Sequence, residues 1–216
     1  LVADQIPSAT ILFADIVDFM PRAARWEPQQ VIAFLSRVFS QFDAIASAHG
    51  LEKIKTIGDA FMATAGMSGP MENPTMSCVD CGLDMIAAAA SQPPYWNLRV
   101  GVHVGPVIGG IVGKRKYQFD VWGDTVNTAA RMASLAKREQ IVTTAATYDS
   151  LSGKVPEARG LGKARVSGKL LPISIVDLVW QEDTSGMTMV QSAVRSGDAS
   201  AGGEVLRLRH RGQVVE

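Results

Sequence analysis

Two apolar runs in this chain each end on an aspartate, and that narrows the folds open to it. Ala9-Thr10-Ile11-Leu12-Phe13-Ala14 leads into Asp15, and Lys53-Ile54-Lys55-Thr56-Ile57-Gly58 leads into Asp59. The first reads as a buried strand, the second as half of a hairpin turning at Gly58-Asp59. An unpaired buried charge costs roughly several kcal/mol even after relaxation. Two such carboxylates at the ends of adjacent strands repel unless a cation lies between them. Magnesium suits that place, since it prefers oxygen ligands and takes one or two carboxylates plus substrate phosphates. Taken alone, each aspartate is equally compatible with simply ending its strand.

The remaining periodicity supplies the rest of the fold. Val31, Ile32, Leu35, Val38, Phe39, Phe42 and Ile45 have helical spacing, so residues 28–48 are predicted helical, with Pro28 in the first turn and Gly50 as the stop. Residues 51–65 form two short strands. A helix from Pro74 to about Ala90 ends at Pro93-Pro94. Leu98 to Val104 alternates as a strand, Val107 to Val112 reads as a second, and Gly123 to about Ala136 as a helix. Ile141-Val142 and Ile173 to Trp180 read as later strands, with a short helix near 145–151 between them. Helices recurring between antiparallel pairs predict an α+β, ferredoxin-like sandwich: a mostly antiparallel sheet with helices packed on it.

Composition bounds the function. With 216 residues, 47% of them hydrophobic, the chain suffices for one good-sized domain and a tail. Zero net charge argues against a broad nucleic-acid surface, though not against a local phosphate pocket. No apolar run approaches a membrane span. Residues 1–8 lack an initiator Met and read as a lead-in from a longer parent, residues 9–180 as the functional domain. Residues 181–216, rich in Ser, Gly, Thr and Asp at first, read as a flexible linker or tail, with a possible further strand from Val205. Cys78 and Cys81 lie inside a predicted helix without a second Cys or His pair, and are better read as core thiols than as redox or metal ligands.

Asn127 and Arg131 stand four apart on the predicted helix 123–136 and share a face, making a donor cluster suited to phosphate; by themselves they are equally a solvated helix face. The combination is more specific. Ile11 to Ile16, then Glu52 to Ala63, then Leu98 to Val107, then Trp122-Gly123-Asp124-Thr125-Val126-Asn127, in this order, closely resembles the catalytic domain of class III nucleotidyl cyclases, over about Ala9 to Trp180.

The resemblance implies a role for each matched residue. Asp15, Asp59 and the Ile16 carbonyl would hold two magnesium or manganese ions per site. Lys55 and Asp120 would choose the base, Asn127 would orient the ribose and Arg131 would act on the transition state. Lys169, in Val166-Ser167-Gly168-Lys169, would hold the triphosphate, and Phe19 would contact substrate. The family's two aspartates come from one protomer and the other residues from its partner, so a head-to-tail homodimer is implied. The implied reaction is cyclisation of ATP to 3′,5′-cyclic AMP and pyrophosphate. Adenine fits a lysine donor and an aspartate acceptor, whereas guanylyl members usually carry Glu where Lys55 stands. His49, His103 and His210 are given no catalytic part. A cytoplasmic location follows, either free or as the cytosolic part of a larger membrane-anchored protein with regulatory modules.

This chain departs from the family's usual Asp-Ile-x-Gly-Phe-Thr, reading Asp15-Ile16-Val17-Asp18-Phe19-Met20. A carboxylate replaces the small glycine and a hydroxyl is lost, which bears on affinity and rate more than on reaction type. The alternatives are a guanylate cyclase, a non-catalytic dimeric signalling module of the same fold, and a polymerase-like or cyclic-dinucleotide synthase, which shares the two carboxylates but does not need the Lys55, Asp120 and Asn127-to-Arg131 set.

Overall fold

Alternation in the first strand sorts its side chains onto two faces, and the domain is built on that division. In the computed structural model, residues 2–91, 93–113, 115–151, 157–166 and 171–179 are described. Strand β1 (Val2–Ile16) sends Leu12, Ala14 and Ile16 into one buried cluster and Ala9, Ile11 and Phe13 into another. The first cluster is closed by α2 (Pro28–Ala48) and α3 (Pro74–Ser91), the second by α4 (Asp124–Leu135). A short α1 (Phe19–Ala23) follows β1. The other strands are β2 (Glu52–Ile57), β3 (Ala60–Ala65), β4 (Leu98–Val112), β5 (Gln118–Trp122), β6 (Ile141–Thr144), β7 (Glu157–Ala164) and β8 (Ile173–Val179), with α5 (Ala145–Asp149) after β6.

Among the described residues, eight strands form one sheet in the order β2-β3-β1-β4-β6-β8-β7, with β5 paired to β4 beside this path. The pairs are antiparallel except β4 with β6. The expected α+β architecture is therefore present, with one parallel pair.

Several expectations need correction. Residues 98–104 and 107–112 are one continuous strand rather than two. Pro106 causes no break because β1 shifts register between Ile6 and Ala9, so Pro106 falls where the β1 ladder is already interrupted, opposite Pro7 and Ser8. The expected lead-in is strand from Val2, since residues 2–6 pair with 107–111 at the far end of β4. Neither β5 nor β7 was anticipated. By length and composition, α2 is apolar enough to cross a membrane, with mean hydropathy 1.3, although no such run was expected. In this fold its Phe34, Phe42 and Ala46 are buried against the sheet.

Helix α2 begins and ends as anticipated. Pro28 sits in its first turn, and Glu27 and Gln30 cap each other reciprocally. Cys78 and Cys81 are free and buried. Burial pushes the Cys78 thiol well above its ordinary value and Cys81 up to about 12, with the charges of Asp84 and Asp80 adding to the latter.

Helix α4 lies unusually close to the sheet. A Cβ on Gly101 would come within 2.1 Å of the Ala133 nitrogen and 2.4 Å of the Ala129 carbonyl oxygen. Only glycine fits under the helix backbone at that point. Gly105 similarly leaves room for Thr125, whose hydroxyl donates to the Pro106 carbonyl at 2.6 Å.

Candidate active site

The strand ends carry the acidic residues. Asp15 pairs across the sheet with Ala60 on one side and Arg99 on the other, and Asp59 occupies the turn between β2 and β3. The Ile16 N–H donates to the Asp59 carbonyl at 3.4 Å, which brings the two strand ends together. Burial pushes the Asp59 carboxyl above its ordinary range. Its own backbone hydrogen bond opposes this, the Asp15 charge adds to it, and the Arg99 charge pulls it back.

The Asp15 charge thus bears on Asp59, and the chain sets a cation beside Asp15. Arg99 Nε donates to Asp15 Oδ2 at 2.7 Å, and Nη2 lies 2.5 Å from the same oxygen. The chemistry of this donor set fits magnesium or manganese: two carboxylates and a backbone carbonyl, all hard oxygen donors. Among the described residues no group of three His, Cys, Asp or Glu forms a self-sufficient metal cluster. An ion here would complete its shell with substrate oxygens, as magnesium commonly does.

A second ion pair joins β2 to β5. Lys55 Nζ donates to Asp120 Oδ2 at 2.6 Å, while Asp120 Oδ1 accepts the Val121 N–H at 2.8 Å. A register shift in β2 makes this possible. Lys53 faces Ala63, a residue of the α2/α3 cluster, but Lys55 faces Met62, a residue of the α4 cluster. Strict alternation would have put both lysines on one face. The bulge sends Lys53 to Asp43 on α2, at 2.5 Å, and Lys55 to β5.

A cavity of about 760 Å³ joins these groups, lined among others by Phe13, Asp15, Lys55, Trp122 and Asn127. Asn127 and Arg131 are exposed on α4. Arg131 is not part of the lining, and its Nη1 lies 3.4 Å from Ser134 Oγ. One chain therefore brings Asp15, Lys55 and Asn127 to one hollow, while Asp59 and Asp120 are not in its lining and Asp120 is reached through Lys55. Lys169 lies outside the described residues.

Phe19 was expected to touch substrate, but its ring is buried. It stacks on Phe34 at 5.8 Å and packs against Trp96, so the apolar start of α1 is used to close the core. Asp18 adopts φ 56° and ψ 30°, the left-handed region that glycine enters freely and aspartate tolerates. This accounts for its standing where the family usually has glycine. Its carboxylate accepts from Arg138 Nη2 at 2.7 Å. His103 Nδ1 hydrogen-bonds Thr147 and Thr144, and His49 meets Asp84 at 2.7 Å; His210 lies outside the described residues. Sequence reasoning gave Arg99 no role, although its signal was present: a charged residue alternating with core positions Leu98 and Val100 beside the strand ending in Asp15.

The family model for the adenylate and guanylate cyclase catalytic domain matches residues 1–180. This chain belongs to that family. The cyclase domain is 41% identical over 173 residues to an adenylate cyclase of Mycobacterium tuberculosis, covering 78% of this chain and 39% of that protein. It is 34% identical over 174 residues to the guanylate cyclase soluble subunit beta-2 of Rattus norvegicus, covering 78% of this chain and 26% of that one. The chain thus spans about two fifths or less of the length of these curated relatives. Among solved structures, the guanylate cyclase domain of RhGC from Catenaria anguillulae, in complex with GTP, superposes with a TM-score of 0.77 at 29% identity, covering 83% of this chain and all of that one.

Proposed function

We infer that this cyclase domain is an adenylate cyclase, converting ATP to 3′,5′-cyclic AMP and pyrophosphate at sites shared between two copies of the chain. The Lys55–Asp120 pair, of which Lys55 lines the cavity, carries this reading. Adenine presents an acceptor at N1 and a donor at N6. Lysine has only protons to give and ionised aspartate only lone pairs, so the two match that edge. Guanine reverses the pattern and would leave polar groups unpaired, at about 1–3 kcal/mol each.

In the reaction the ribose O3′ bonds to the α-phosphorus as the bond to the pyrophosphate oxygen breaks. O3′ passes its proton to water, and pyrophosphate departs with the electron pair. Asn127 holds the ribose so that O3′ lies in line with that bond. Arg131, exposed four residues further along α4, donates to the oxygens on which negative charge grows. Lys169 would bind the triphosphate. Two magnesium or manganese ions, held by Asp15, Asp59 and the Ile16 carbonyl, would lower the hydroxyl's pKa and offset phosphate charge.

A head-to-tail homodimer suits the β4–β5 hairpin, which exposes Ile108, Ile111, Phe119 and Trp122 beside the cavity. ATP as substrate suits a cytosolic location, alone or as part of a larger regulated or membrane-anchored chain.

Guanylate cyclase is the second reading, favoured by the rat relative and by the GTP-bound structural neighbour. Incubating the purified domain with equal ATP and GTP, with magnesium or manganese, and identifying products by mass spectrometry separates the readings. Cyclic AMP formed in excess supports the assignment, and cyclic GMP formed in excess overturns the base choice. No product from a demonstrated dimer favours a non-catalytic signalling module.

A further inference from the structure

We propose that Arg99 is an internal counter-ion that competes with divalent metal for Asp15, so that the nucleotide-free domain keeps its own metal site closed. The inference rests on the reading of Asp15 as a metal ligand, and adds a role for a residue outside the proposed ligand set.

The geometry is specific. Arg99 and Asp15 are direct partners in adjacent antiparallel strands, so the backbone ladder holds them opposite each other. Two guanidinium nitrogens converge on a single carboxylate oxygen, at 2.7 Å and 2.5 Å. The Asp15 side chain is only 17% exposed and that of Arg99 35%, so water screens the pair less than it would a surface pair. The next residue of β4 on the same face is Gly101, with α4 directly over it. The Arg99 side chain is itself partly exposed, so solvent is open to it when it parts from Asp15.

Arginine stays protonated at any pH the protein survives, so proton loss cannot release Asp15. Another cation can. A metal ion on Oδ2 and a guanidinium that donates to it from Nε, with Nη2 2.5 Å away, contend for the same lone pairs, and binding the ion means breaking the pair. A charge-assisted hydrogen bond of this kind corresponds to roughly 10- to 100-fold in metal affinity.

The test is manganese binding to the nucleotide-free protein, read from the electron paramagnetic resonance signal of the free ion. Arg99→Gln is expected to bind manganese about tenfold or more tightly than the parent, and Arg99→Lys to fall between. Adding Asp15→Asn to Arg99→Gln should erase the gain. Equal or weaker binding by a folded Arg99→Gln protein overturns the proposal. If Asp15→Asn alters manganese binding in neither background, the metal-ligand reading of Asp15 fails instead, and the two failures are thereby distinguished. The parent chain offers a check independent of folding. Manganese should speed phenylglyoxal modification of Arg99, followed by peptide mass spectrometry, and an unchanged rate counts against release.

Discussion

Lys55 and Asp120, 65 residues apart in sequence, meet at 2.6 Å because a bulge in β2 turns Lys55 away from the face that Lys53 occupies. Base selection depends on both charges. Lys55→Glu is expected to lower kcat/KM for ATP by about 10- to 100-fold, the equivalent of one or two buried polar groups left unpaired. It also leaves two carboxylates facing each other, so the companion change Asp120→Ser or Asp120→Cys should recover turnover, with GTP gaining relative to ATP. Paired steady-state assays check this; an unchanged ATP-to-GTP ratio contradicts the base-reading role.

The contact of α4 with the sheet predicts an intolerant position. Gly101→Ala forces a methyl group into the backbone of Ala129 and Ala133, which cannot swing aside as a side chain would. A loss of about 3 kcal/mol or more in urea unfolding is expected. Gly58→Ala makes a useful contrast. Its φ of +61° is strained for alanine, but nothing lies within 4 Å of the added methyl, so a loss of only about 1 kcal/mol is expected.

Asp18 separates backbone strain from charge. Its pair with Arg138 is mostly exposed, at 55% and 63%, so Arg138→Gln should cost less than about 0.5 kcal/mol. Asp18→Ala places a residue less suited to the left-handed region at φ 56° and should cost about 1 kcal/mol, whereas Asp18→Gly should be close to neutral. Chemical denaturation of the three variants checks the order.

Asp59 carries the pH prediction. A carboxyl whose pKa rises on folding holds its proton more tightly in the folded chain. Between the ordinary value of 3.8 and the raised one, the folded state binds more protons than the unfolded state. Stability from this group therefore falls as pH rises through that window and stays lost above it. In metal-free buffer, Asp59→Asn should gain Tm relative to the parent as pH rises from 3.8, then hold a constant advantage. Added magnesium should raise the Tm of the parent more than that of the variant. A parent that gains on the variant with rising pH, without metal, contradicts this account.

The shared site has its own test, because a single chain already gathers Asp15, Lys55 and Asn127 around one cavity. Asp59→Ala and Arg131→Ala chains, each inactive alone, are mixed in equal amounts. If each site draws on two chains, half the dimers are mixed and one of their two sites is intact, giving about a quarter of parental activity. No recovery from demonstrated mixed dimers would place the whole site within one chain.

The parts of this fold most legible in sequence were those with strong local signals. Helix α2 announced its limits through Pro28, its apolar period and Gly50. The turn at Gly58-Asp59 was equally plain. Strand β7 was not, because Glu-Ala-Arg-Gly-Leu-Gly-Lys-Ala carries two glycines and is exposed along most of its length, held to β8 by backbone pairing rather than by a buried face. The unity of β4 was hidden because Pro106 argues for a break unless one knows that Pro7 and Ser8 interrupt the same stretch of ladder. For the site, resemblance supplied roles for Lys55 and Asp120, but their meeting depends on a one-residue bulge that local pattern does not foretell. Phe19 was misjudged because its place in an aromatic core is a long-range fact, set by Phe34 and Trp96.

The unbroken course of β4 has a metrical consequence. At the usual rise its 15 residues span about 50 Å, and they carry Arg99 and Gly101 near one end and Ile108 and Ile111 towards the other. The counter-ion, the seat of α4 and the exposed apolar hairpin are graduations on a single ruler. Inserting or deleting one residue in the middle would move the hairpin by about 3.4 Å relative to Arg99 and turn its exposed side chains to the opposite face.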